Sequence, residues 1–157
     1  MIEITVAGKR PGILLIDDDF SHLTSYKWRI NVRGYAHTNL PRNGAKTQKQ
    51  LTLHHAVAGK PQAGMMIDHI NHNRLDNRLS NLRHCTQSQN QMNSVISSRN
   101  TTGFKGVSPA GNKFRACINI NGKSVKLGCF VTAELAHRAY SKRAIQEYKE
   151  FAYIGQT

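Results

Sequence analysis

"MMIDHINHNRLDNRLSNLRHCTQSQNQMNS" runs from Met65 to Ser94 and holds three His, two Asp, three Arg and six Asn in thirty residues. Few of these side chains could line a core, and a plain surface loop has no need of so much chemistry. Met65 to Ile67 fit a short strand that ends at Asp68-His69. Asn71 to Asn77 fit a loop, because Asn and Asp favour turns over both regular structures. "NLRHC" is again short and strand-like. Thr86-Gln-Ser-Gln89 has the form of a capping box, which predicts a short helix from Thr86. On that helix Asn90 and Asn93 are three apart and share a face.

A strand ending in Asp-His, a loop, a second strand and an Asn-bearing helix can bring a carboxylate, an imidazole and an amide oxygen to one point. A carboxylate with an amide carbonyl is a hard-oxygen pair, suited to Mg²⁺ or Mn²⁺ and poor for zinc. A neutral histidine beside it can take a proton from water near pH 7. These are parts for hydrolysing a phosphodiester. The other polar residues read more plainly. Arg74 and Arg83 suit phosphate contacts. Asp76-Asn77-Arg78 fits a structural turn with Arg78 near a phosphate. His72 and His84 read as solvated or close to phosphate.

Outward from this stretch, residues 1–60 read mainly as strands. "MIEITV" and "GILLI" are rich in β-branched residues and leucine. "DDDF" fits a turn or helix start with capping potential rather than a metal site. "YKWRINVRGYAHTN" fits two strands turned at Gly34, with Trp28 as a core anchor. "PRNGAKTQ" reads as a polar loop. "QLTLHHAV" returns to an apolar-rich element, where one of His54 and His55 packs under the site.

Beyond the motif, "SVISSRNTT" reads as a linker. "FKGVS" fits a short strand. "KFRACINI" alternates, with Phe114, Ala116, Ile118 and Ile120 on one face and Lys113, Arg115, Cys117 and Asn119 on the other. Asn121-Gly122 signals a type I′ hairpin. "SVKLGCF" returns with Val125 and Leu127 on the apolar face and Ser124 and Lys126 opposite. Thr132 caps a helix with Glu134 in its first turn. Ala136, Tyr140, Ala144 and Tyr148, with Leu135 and Ala139, form its apolar stripe. A three-stranded antiparallel sheet covered by a helix on one face follows, and the open face is basic and polar.

The totals agree with these pieces. The 157 residues suit one medium domain or two small ones. The formal net charge is +13, spread along the chain rather than held in a tail. A diffuse basic surface points to a nucleic-acid partner. No apolar run is long enough to span a bilayer, and no signal peptide is visible, so a soluble intracellular protein is expected. Cys85, Cys117 and Cys129 are odd in number and lack a C-x-x-C pair. That argues against a disulfide framework or a thiolate zinc centre.

"IDHIN…LDNRLSNLRHCTQSQNQMN" resembles the HNH endonuclease family with its ββα-metal fold, and in particular its phage homing branch, over about Leu51 to Ser94. "ILLIDDDFSHLTSYKWRI…GYAHTN" resembles the β region that precedes the motif in phage members. "GFKGVS", "FRACINI", "VKLGCF", "TAELAHRAY" and "FAYI" resemble an AP2 DNA-binding domain over about Gly103 to Ile154. The first resemblance implies His69 as general base, Asn81 as its orienting residue, and Asp68 and Asn90 as metal ligands. Asn90 stands where many members have His. The second implies DNA read by the open sheet face, through Lys113, Arg115, Asn119, Ser124 and Lys126, with Lys105 as a further DNA contact.

An α+β chain is therefore expected: a β-rich nuclease domain at 1–93 with its motif core at 51–93, a linker at 94–102, and an AP2-like domain at 103–157. The expected activity is Mg²⁺-dependent cleavage of double-stranded DNA, with Mn²⁺ able to substitute, by a monomer or weak dimer. Neither a small-molecule cofactor nor a membrane partner is expected. A phage-encoded homing or nicking enzyme acting in the host cytoplasm is the form implied. The rival readings are a DNA-binding regulator on an inactive HNH fold and a structural zinc protein.

Overall fold

The computed structural model describes residues 1–42 and 47–155. Residues 43–46, in the expected polar loop "PRNGAKTQ", lie outside the described residues. The chain is a mixed α/β protein of small antiparallel sheets and few helices. It divides into two compact units, Met1–Gln87 and Ser88–Thr157.

The first unit opens with a hairpin of β1 (Ile2–Val6) and β2 (Gly12–Ile16). A 3₁₀ segment, Asp18–Ser25, follows. The "DDDF" run does start this turn, but Asp17 does not cap it. Asp17 Oδ2 instead accepts from the backbone N–H of Leu79, at 2.7 Å. A second sheet contains β3 (Arg29–Ile30), β4 (Ala36–Asn39) and β5 (Gln50–Thr52), in that spatial order. Asn31 shapes the β3–β4 turn. Its side-chain oxygen accepts from the N–H groups of Arg33 and Tyr35, and Gly34 takes φ +81°.

Helix α1 (Leu53–Ala58) leads to the motif hairpin of β6 (Met65–His69) and β7 (Leu82–Thr86). His84, expected in solvent, is exposed but donates from Nε2 to the Ala58 carbonyl at the end of α1, at 2.9 Å. One core serves the whole unit. Leu14, Ile16 and Trp28 from the β region pack with Leu53 and Val57 of α1 and Leu82 of β7. Burying each such side chain contributes about 1.5–3 kcal/mol. Trp28 is the expected anchor, and its Nε1 donates to the Leu23 carbonyl at 2.8 Å.

Helix α2 (Gln87–Met92) follows Thr86 directly, as its capping pattern predicts. The second unit holds a sheet ordered β10-β9-β8, with β8 at Val107–Ala110, β9 at Lys113–Ile120 and β10 at Lys123–Phe130. Strand β8 begins three residues later than "FKGVS" suggests. Asn100 Oδ1 draws Thr102 and Gly103 N–H groups into a turn, and Gly106 is left-handed at φ +74°. A Cβ on Gly106 would fall inside the Tyr140 ring. Asn121 and Gly122 both take positive φ, as a type I′ turn requires.

A bulge between Lys126 and Gly128 adds Leu127 to β10, and Leu127 packs against the core. Val125, expected on the covered side, is 37% exposed. Helix α3 (Ala133–Tyr148) starts at Thr132, whose hydroxyl accepts from Leu135 N–H. Its buried stripe is Ala133, Ala136, His137, Tyr140, Ala144 and Tyr148. Leu135 is 41% exposed, contrary to expectation, because one residue is a rotation of about 100° away from Ala136.

Candidate active site

The β6–β7 register sets Asp68 opposite Arg83 and His69 opposite Leu82. Arg83 donates from Nε (3.0 Å) and Nη2 (2.8 Å) to Asp68 Oδ2. Both partners are largely buried, so the arginine expected at a phosphate is committed to a carboxylate inside the unit.

Residues 70–81 are held by their own amides. Asn81 Oδ1 accepts from Asn71 N–H at 3.0 Å, and Asn81 Nδ2 donates to the Asp76 carbonyl at 2.7 Å. Asn71 Nδ2 donates to Asp76 Oδ2, and Arg78 grips the same carboxylate through Nε and Nη2 at 2.8 and 2.7 Å. Those bonds, Arg78 foremost, hold Asp76 below the usual carboxylate range despite its burial. Asn71 and Asn73 each cap a backbone N–H two residues on. Strand β2 fixes the far side: Leu15 N–H donates to Leu75 O, and Asn77 N–H donates to Leu15 O. The "DNR" turn is thus a rigid insert in the first unit's core.

This loop delivers a fully buried Asn77 to His69. His69 Nε2 lies 3.4 Å from Asn77 Oδ1. An amide oxygen only accepts, so the paired nitrogen carries the proton and the other ring nitrogen keeps the lone pair. Burial pushes His69 below the ordinary histidine value, while the Asn77 bond and the Asp68 charge pull it partly back. The ring is neutral near pH 7, as a general base must be. Asn77 is the residue that sequence reasoning assigned only to a turn. Asn81, the expected orienting residue, lies in the same loop and is tied to Asn71 and Asp76.

Two further rings pack on His69. His54 of α1 stands edge-on at 5.7 Å between centroids, and Tyr35 lies at 6.0 Å. His54 also packs on Tyr35 at 5.2 Å. Burial, with the neighbouring His55 and His69, lowers His54 to about 4. Arg74 stacks over Tyr35 at 4.8 Å and donates to the Arg33 carbonyl at 2.5 Å. Arg74 remains exposed at the rim, where phosphate can reach it.

Of the expected metal donors, Asp68 stands in the first unit, and Asn90 sits half-buried on α2 in the second. Among the described residues no three His, Cys, Asp or Glu side chains converge as a ligand set. One carboxylate with an amide fits a cation that keeps most of its waters and completes its shell with substrate phosphate, as Mg²⁺ does. It does not fit a tetrahedral structural ion.

In the second unit Lys113, Arg115, Asn119 and Lys126 are all exposed on the sheet face opposite Ala116 and Ile118. The Lys105 ammonium instead reaches the carbonyls of Met92, the last residue of α2, and Ser94, at 2.7 and 2.6 Å. Burial lowers it to about 8. The three cysteines are free thiols.

Comparison with known proteins bears on this geometry. A family model described as HNH endonuclease matches residues 53–92, which span α1, the motif hairpin and α2. An uncharacterized HNH endonuclease of Acanthamoeba polyphaga mimivirus is 31% identical over 155 residues, covering 97% of this chain and 80% of the relative. The chain belongs to the HNH endonuclease family. No solved structure matches it. The matched segment includes His54 as well as His69 and Asn77. No helix among the described residues is long and apolar enough to cross a membrane.

Proposed function

We propose that this HNH endonuclease hydrolyses phosphodiester bonds of double-stranded DNA, with His69 as the base that activates water. The pairing of a neutral His69 with the buried Asn77 amide carries this reading. It gives the ring one fixed tautomer. Asp68, on the same strand end, would hold a divalent cation, Mg²⁺ with Mn²⁺ as substitute, and Asn90 is the second donor that the family resemblance implies. When bound, that ion neutralises charge developing on the phosphate and the leaving oxygen. Asn81 keeps the loop under His69 in place.

Residues 1–93 act as the nuclease and 103–157 as an AP2-like DNA-binding domain, joined through 94–102. Lys113, Arg115, Asn119 and Lys126 meet DNA from the open sheet face, and Arg74 meets a phosphate beside the site. One motif gives one active site, so a monomer nicks one strand. A phage-type homing or nicking role inside the cell is the biological form this reading takes. The test is a supercoiled plasmid carrying candidate sites, with Mg²⁺ or Mn²⁺. Nicking at least a hundredfold above His69→Ala is expected, and equal rates for the two proteins would sink the proposal.

A further inference from the structure

Among the first unit's cations with no assigned task, four gather along its β region. Lys9 and Arg10 lie in the β1–β2 turn, Lys27 precedes β3, and Arg29 lies on β3. All four are exposed. Among the described residues none of them makes a salt bridge or a side-chain hydrogen bond. The motif arginines differ, since Arg78 and Arg83 are already neutralised by Asp76 and Asp68.

The four line two adjoining cavities. One of about 510 Å³ is lined by Lys9, Arg10, Arg29 and His37, with Ile30 and Val32 as apolar wall. The other, about 230 Å³, is lined by Lys27, Arg29 and His37 among others. Arg29 and His37 are cross-strand partners on β3 and β4, which is why both cavities share them. Among the described residues no carboxylate lines either cavity. Uncompensated like charges gathered in a concave site repel one another and focus a positive potential.

Val32, at the cavity wall, is 80% exposed, which gives an apolar surface beside the charges.

We propose that this groove is a second DNA-backbone site. Lys9, Arg10, Lys27 and Arg29 take successive phosphates of the duplex, and Ile30 and Val32 pack on deoxyribose. The contacts are to phosphate and sugar, so they add affinity and set orientation without reading sequence. The inference rests on the endonuclease reading for its choice of DNA as the polyanion.

The test uses the full chain and an Arg10→Ala/Arg29→Ala variant, with a charge-matched Lys60→Ala/Lys142→Ala control. Affinity for a labelled random-sequence duplex is measured by anisotropy in EDTA between 50 and 200 mM salt. The variant should bind more than tenfold more weakly at the lower salt. Its log–log salt slope should be shallower by about 2, near 0.9 per lost phosphate contact. The control should move both by less than half as much. An unaltered slope in the groove variant, or an equal loss in the control, overturns the proposal. Wild type that binds by this groove but never nicks overturns the endonuclease reading alone.

Discussion

Asp68 and Arg83 face each other across the β6–β7 hairpin, and both guanidinium bonds fall on the same carboxylate oxygen. A pair this buried stabilises little compared with an apolar substitute, but breaking it strands a charge. Arg83→Met should therefore lower unfolding free energy by about 3–5 kcal/mol. Asp68→Asn/Arg83→Met should recover most of that loss. Urea denaturation of the two single variants and the double variant gives the coupling directly. Additive losses would mean that the ion pair is not formed in solution.

Asn77 bears on rate rather than on folding alone. Asn77→Asp keeps size and an acceptor oxygen, and holds His69 in the same tautomer. Asn77→Leu removes the acceptor and leaves a ring N–H with no amide oxygen to meet. The leucine variant should nick DNA about 10–100-fold more slowly than the aspartate variant, the scale of losing a hydrogen bond of about 1.4–2.8 kcal/mol. Single-turnover rates compare the two, and ¹⁵N shifts of the His69 ring report the tautomer separately from any loss of stability. Equal rates with equal ring shifts would remove Asn77 from the orienting role.

His54 makes stability depend on pH. Its folded value is lowered to about 4 against 6.5 when unfolded. Between those values the unfolded chain holds a proton that the folded chain lacks, so stability falls as pH drops from 6.5 and levels off near 4. Above 6.5 the contribution is complete. Tm measured from pH 7.5 to 4.5 should fall more steeply for the native chain than for His54→Phe. The phenylalanine ring keeps the packing on Tyr35 and His69 but cannot titrate. Parallel curves would show that His54 is not buried neutral.

The two halves of the chain were legible in the sequence to different depths, for physical reasons. Asn121-Gly122 could be read because a two-residue hairpin needs positive φ at both positions, and few residues supply it. The alternation of "KFRACINI" could be read because a sheet covered on one face enforces a period of two. Leu135 lies outside the buried stripe because each residue turns about 100° about the helix axis from its neighbour Ala136. The Asp68–Arg83 pair was invisible until the register was known, since fourteen residues separate the two. His54 and Asn77 reach His69 through space, from α1 and from a loop pinned by β2. Local patterning carries no trace of either contact.

Lys105 gives the sharpest contrast between a basic residue that binds inward and one that faces outward. Its ammonium meets two carbonyls at the end of α2, those of Met92 and Ser94, and lies 5.2 Å from the centre of the Tyr153 ring. Hydrogen bonds to a charged group contribute about 1.5–3 kcal/mol in total stability when both partners are held. Lys105→Met should therefore lower the stability of the second unit by about that amount. It should leave the salt slope of DNA binding unchanged. Lys113→Ala/Lys126→Ala should do the reverse, with an unaltered Tm and a slope shallower by about 2. Thermal melts and salt-titrated anisotropy on the same preparations decide it. A Lys105 variant that melts normally but loses slope would return this residue to the DNA-binding surface.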